Sequence, residues 1–283
     1  MSQPRALFDL EALAAHRRRA QRQGPAMFLH DEALFEVQER LIDVNREFTS
    51  PAIVTGHPEF WTQAFPHATV VPDTDTLTLA PQSHDLVIHA MALHWANDPV
   101  GQLVQCRRAL KPDGLMLVAM LGGQTLHELR AALAQAEATV TGGLTPRIAP
   151  MGEIRDLGGL IQRAGLALPV ADSSKRTVTY ASPTALLHDL RAMGETNAMA
   201  DRHKNVPPRN LFAEMARIYT ETYQSDDGRV AATCEMIFLT GWAPSETQQK
   251  PLRPGSAKTR LADFLGTAEL GPDAKPVTGD EEQ

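Results

Sequence analysis

The sequence predicts an α/β fold, a doubly wound domain around a mostly parallel sheet, and three observations carry that prediction. Ala52-Ile53-Val54, Asp85 to Ile88, and Leu115 to Met120 form short apolar runs. They are continuous rather than alternating, the pattern of strands buried on both faces. Helical stripes precede and follow them. The second and third runs with the helix between them form a strand–helix–strand unit of about 35 residues, and such a crossover makes the two strands parallel.

Each element has its own punctuation. The first run enters through Pro51 and leaves at Gly56. The helix after the second run begins with Asp98 as N-cap and Pro99 at its first position. Val100, Leu103, Val104 and Leu110 fall on one stripe, and Lys111-Pro112-Asp113-Gly114 reads as a turn. Upstream, residues 31–44 carry Leu34, Val37 and Leu41 on one helical face. Downstream, helices are expected over 125–140, 153–164, 183–193 and 211–223, with a late strand over 234–242. The expected division is an N-terminal helical segment at 1–50 and the α/β domain at 51–243, with helical insertions around 122–166 and 183–225. Residues 244–283 are rich in Pro, Gly and charge and poor in large apolar groups, so they read as a disordered tail. Leu261, Phe264 and Leu265 form its one apolar segment.

Composition narrows the function. At 283 residues and 43% hydrophobic content the chain can bury a large core. Its net charge of −7 argues against a nucleic-acid partner, which needs clustered positive charge. The three consecutive arginines Arg17, Arg18 and Arg19 read as a solvated helix face. No run of about 18 apolar residues exists to span a membrane. Two cysteines, neither in a CxxC pair, suit a reducing compartment, and the N-terminus lacks the order of a secretory signal. The expectation is a cytoplasmic chain, compatible with peripheral attachment to a membrane. His84, His89 and His94 are spaced five apart with no HExxH motif, so no metal site is predicted. GxGxxG is absent, which excludes a nicotinamide-dependent oxidoreductase.

The stretch HDLVIHAMALHWANDPVGQLVQCRRALKPDGLMLVAM, 84–120, resembles the fourth strand, helix and fifth strand of class I S-adenosylmethionine-dependent methyltransferases, a Rossmann-like superfamily. Narrower blocks are more specific: LHWANDP at 93–99, AMLGGQTLHELRAALAQAE at 119–137, GGLTPRIAPMGEIRDLGGLIQRAGL at 142–166, DLRAMGETNA at 189–198, and Gly241-Trp242. These resemble the methyltransferase-like assembly factors of respiratory complex I and, more distantly, the malonyl-carrier-protein O-methyltransferases of biotin synthesis. The resemblance implies S-adenosylmethionine as cofactor, a complex I subunit or other protein substrate as partner, and modification of a protein side chain, namely hydroxylation of an arginine.

In that family the cofactor lies beyond the carboxyl ends of the strands, against a glycine-rich turn of the form DLGCGxG. Here the matching stretch is IVTGHPEFW, where only Gly56 remains and His57 and Pro58 follow. Pro58 has no N–H to offer a ligand. A strand–helix unit after the first strand appears missing by length, and the ribose-binding acid with it. Asp73, followed by Thr74, lands where the family contacts adenine. The resemblance thus assigns Gly56, His57, Asp73, Thr74 and His89 to the cofactor, and His94, Trp95 and Arg147 to a substrate cleft. Catalytic residues are unassigned. Arg147 suits either a bidentate carboxylate contact or a helix cap. Two lost anchors would weaken cofactor binding by about two to four orders of magnitude. Two readings therefore compete: a methyltransferase-like enzyme, and a non-catalytic assembly or binding factor with a degenerate cofactor site.

Overall fold

The computed structural model describes residues 6–248 and Thr267. The chain divides into one unit ending at Ser245 and another over 246–283. Most of the expected tail, including Leu261, Phe264 and Leu265, lies outside the described residues.

Two helices lead: α1 (Leu10–Gln23) and α2 (Phe28–Val44). Then follow β1 (Pro51–Thr55), α3 (Pro58–Ala64), β2 (Thr69–Pro72), β3 (His84–Ala90), a single 3-10 turn at Leu93–Trp95, α4 (Pro99–Ala109), β4 (Leu110–Leu121), α5 (His127–Thr141), α6 (Ile154–Arg163), β5 (Ala167–Tyr180), α7 (Pro183–Met193), α8 (Arg209–Tyr223) and β6 (Val230–Trp242). The six strands form one sheet in the order β2-β1-β3-β4-β6-β5. β2, β1, β3 and β4 are parallel, while β6 runs antiparallel to both β4 and β5.

The continuous apolar runs have the predicted cause. Ala52, Val54, Val87, Met116 and Val118 point to one face of the sheet, packing with Leu103 and Cys106 of α4 and Ile161 of α6. Ile53, Ile88, Leu117 and Phe238 point to the other, packing with Ala33 and Val37 of α2 and with Trp61. Both faces are covered, so neither can carry polar alternation. A third cluster joins α5, α7 and α8 to the start of β6 through Leu129, Leu186, Met215 and Tyr219. The α4 cap forms as read: the Asp98 carboxylate accepts from the Gly101 N–H at 2.8 Å.

Three elements differ from the sequence reading. The N-terminal segment holds two helices, not one, because Asp9 caps a first helix by accepting from the Ala12 N–H at 3.0 Å. β4 starts at Leu110 and includes the Lys-Pro-Asp-Gly segment. That segment is a kink rather than a break: Asp113 takes φ +61°, the register shifts beside it, and the Ala243 N–H donates to the Gly114 carbonyl at 2.8 Å. β5 has no counterpart among the expected elements; it pairs with β6 from Ala167 to Tyr180, with an irregularity between Ala167 and Val170. From β2 the chain crosses 73–83 to β3 with no intervening helix or strand, as the missing strand–helix unit requires.

Candidate functional site

The carboxyl ends of β1, β2, β3 and β4 form one rim, and the turn after β1 lies on it. Thr55 closes β1, Gly56 and His57 make the turn, and Pro58 opens α3 at its first position. The His57 N–H is spent on Thr55 Oγ1 at 3.2 Å.

The space over this turn belongs to α1. A Cβ added at Gly56 would meet Arg17 Nη1 at 2.0 Å and Cζ at 2.2 Å. That same Nη1 donates to both oxygens of Asp73, at 3.0 and 2.8 Å. Both side chains are nearly enclosed, Arg17 10% and Asp73 14% exposed. Arg17 is therefore no part of a solvated helix face. It shares a buried stripe with Leu13 and Ala20, at i, i+4 and i+7. Asp73 directly follows β2, the strand paired with β1.

Three buried histidines lie beneath. His30 Nδ1 accepts from the Trp61 indole at 3.2 Å and stacks edgewise on His57, centroids 4.5 Å apart. Burial, then the neighbouring His57 charge, pushes His30 down to about 3. Burial also pushes His57 down. His89 is fully buried under α4, with Nε2 on Gln102 Oε1 at 2.8 Å, and burial pushes it down to about 4. Gln102 in turn donates to the Thr74 carbonyl at 3.1 Å, while the Thr74 hydroxyl turns to the Thr76 carbonyl. The structure thus places His89 and Thr74 on one hydrogen-bonded strut, and Gly56, His57 and Asp73 around Arg17.

A second group gathers on Glu195, in the segment after α7. Its carboxylate accepts from the Trp95 indole N–H. His94 Nδ1 accepts from the Leu121 N–H at 3.4 Å, and its Nε2 lies 3.6 Å from the same carboxylate oxygen. Burial raises the Glu195 carboxyl, but the His94 contact and the positive charge of Arg17 outweigh it and hold the group ionised. Glu195 and Trp95 stand on the wall of a cavity of about 580 Å³, otherwise lined mainly by apolar side chains including Leu126, Leu129, Leu133 and Leu187. Arg147 lies on the same wall, and its Nε and Nη2 donate to the Glu137 carboxylate at 3.1 and 2.6 Å. Neither Arg17 nor Glu195 was singled out as a site residue. The stripe through Leu13 and Ala20 could have found Arg17, whereas nothing local distinguishes Glu195.

Among the described residues no group of three or more His, Cys, Asp or Glu could hold a metal ion, and no helix is long and apolar enough to cross a membrane. Burial pushes the thiols of Cys106 and Cys234 up to about 12, leaving them inert.

A family profile described as "Methyltransferase domain" matches residues 38–118. The chain is 32% identical to "Arginine-hydroxylase NDUFAF5, mitochondrial" of Mus musculus, over 92% of this chain and 85% of that protein. The chain belongs to the NDUFAF5 family. The Danio rerio member is 37% identical over 75% of this chain, and that match spans 66% of its length. For the Homo sapiens member identity is 36%, over 74% of this chain and 61% of the relative. The "Malonyl-[acyl-carrier protein] O-methyltransferase" of Xylella fastidiosa is 35% identical over 64% of this chain and 59% of its own.

The methyltransferase domain of this NDUFAF5-family chain implies S-adenosylmethionine. The residues present do not fit it. The close-approach glycine of the turn is covered by Arg17, the acid beside β1 is neutralised by the same guanidinium, and Pro58 offers no N–H. The cradle is filled by the chain's own helix.

Proposed function

We propose that this chain serves respiratory complex I assembly as a methyltransferase-like protein that takes an arginine-bearing segment of a complex I subunit into the cavity walled by Leu126, Leu129 and Leu133. The observation that carries this reading is Glu195: one ionised carboxylate, positioned by Trp95 and His94, on the wall of a mainly apolar cavity that Arg147, His188 and Arg191 also line. An arginine side chain matches both parts, its methylenes against leucines and its guanidinium on the carboxylate. In this reading Trp95 and His94 position the anchor and Arg147 shapes the wall. The relatives' printed name, arginine-hydroxylase, supports arginine as the residue engaged. The complex I assignment rests on the sequence blocks at 93–99, 142–166 and 189–198. The working place proposed is a cytoplasmic surface facing the assembling complex.

The test is complementation of a strain lacking the chain. Wild type should restore complex I assembly, and Glu195→Gln, shown to be folded, should fail. Restoration by Glu195→Gln equal to wild type would overturn the reading. A second reading, the non-catalytic assembly or binding factor, is favoured by Arg17 on Gly56. Mass spectrometry of complex I subunits separates the two: an arginine bearing an added group only when the chain is present supports modification. Restored assembly with unmodified arginines supports the second.

A further inference from the structure

The cavity that holds Glu195 carries a second charged feature on its wall, of opposite sign. Arg191, in the last turn of α7, lines it together with Thr196 and His188. α1 packs directly on this end of α7. A Cβ added at Gly194 would meet the Arg17 Cα at 3.0 Å, and the Ala26 N–H donates to the Ala192 carbonyl at 3.2 Å. That contact brings Arg19 to the same corner, where its Nη2 reaches the Thr196 hydroxyl at 3.5 Å. His16, three residues before Arg19 on α1, shares this face of the helix.

The arginines around the corner fall into two groups. Arg17 pairs with Asp73, Arg147 with Glu137 and Arg202 with Asp9. Among the described residues, Arg19 and Arg191 have no carboxylate within ion-pair distance. Arg19 Nε is buried with no hydrogen-bond partner among them. Burial pushes the Arg19 guanidinium down, and the charge of Arg191 adds to it. His16 is pushed down by burial first, then by the charges of Arg19, Arg202 and Arg191. Glu195, one residue before Thr196, does not relieve this corner, because its carboxylate is turned to Trp95 and His94. Two guanidiniums that repel each other, beside a buried donor without an acceptor, make a site short of one anion.

We infer that the corner formed by Arg191, Arg19 and Thr196 is a carboxylate subsite, so that the segment taken into the cavity carries an acidic residue close to its arginine. This inference rests on the reading of Glu195 as the arginine anchor. Glu195 and Thr196 are adjacent in the chain, so the two charges stand side by side on one wall. An extended segment with the arginine and the acid two residues apart presents both to one face. Arg191 meets the carboxylate from the open side, and Arg19 adds charge from behind Thr196. Two contacts of opposite sign also fix the direction in which the segment lies.

Isothermal titration of the full chain with capped decapeptides tests this. One set has a central arginine and an aspartate one, two or three residues to either side; the matched set has asparagine in place of the aspartate. The best aspartate peptide should bind about tenfold tighter than its match, one charge-assisted contact's worth. Added salt should shrink the difference. Arg191→Glu should invert the preference, so that a peptide with lysine at that place binds tighter than the aspartate peptide. Arg191 is exposed, so the fold should tolerate the change. Arg19→Gln is the second variant and should reduce the aspartate advantage. Equal binding of the matched peptides, or an aspartate preference unchanged by Arg191→Glu, would overturn the subsite and leave the arginine anchor standing. Replacing the central arginine by glutamine tests the anchor separately. An aspartate peptide indifferent to that replacement, yet lost in Arg191→Glu, would keep the subsite and remove the anchor. Silence toward every peptide would overturn both.

Discussion

The two flanks of the sheet differ in length and in what they enclose. On one side β2 and β1 run four and five residues; on the other β6 and β5 run thirteen and fourteen. The short flank gathers polar groups, Arg17, Asp73, His30 and His57, beside a groove lined by Arg17 and His57. The long flank, extended by α5, α7 and α8, borders an open, mainly apolar cavity. The two flanks border cavities of the same volume, about 580 Å³ each, and differ in lining: charged groups and a histidine beside β1, mainly apolar side chains beside α5. α2 and Trp61 cover one face of the short strands, while Leu103 and Cys106 of α4 cover the other.

Acid should break the short flank first. His30 and His89 sit at about 3 and about 4 against an ordinary 6.5, so each is held neutral in the fold. A depressed folded value means the stabilisation is complete above pH 6.5 and is lost as pH falls toward the folded value. Between pH 7 and 5 each histidine should cost about 2 kcal/mol of stability. Urea unfolding at the two pH values reads this directly, and equal free energies would dissolve the contrast between the flanks.

Next in size is Gly194→Ala. The position needs φ +80° and faces the Arg17 backbone, which has no room to retreat. The expected loss is about 2 kcal/mol in chemical denaturation. Asp73→Asn should cost about 1–2 kcal/mol by leaving a buried guanidinium without its anion. Adding Arg17→Ala should recover part of that, and a strictly additive double mutant would show that the pair is not coupled. The smallest effect is expected on the long flank, where Arg176 pairs with Glu32 and Glu36 while 41% exposed. Arg176→Ala should cost less than about 1 kcal/mol, and high salt should erase the difference.

How much was legible follows from burial. β1, β3 and the body of β4 were readable because both their faces are apolar. β5 was not, because an edge strand with one solvated face can be built from Asp172, Ser173, Ser174, Lys175 and Arg176, residues that individually suggest a loop. α7 was readable to the residue from Ser182, Pro183 and Gly194, a cap, a first-turn proline and a terminating glycine. In the site, Gly56 and Pro58 signalled an altered turn, but which of three adjacent arginines turned inward depended on the helix phase set by Leu13 and Ala20. That Asp73 stands directly after the strand paired with β1 was not legible either. Strand neighbours are a property of the whole sheet and no local window contains them.

Gly56 carries one last implication, for evolution rather than for binding. A glycine in this turn is ordinarily counted as the mark of a nucleotide, yet here its empty side chain accommodates another part of the same polypeptide. Positions 17 and 56 thus share one volume: a side chain at 56 would fit only if the one at 17 were shortened or turned away.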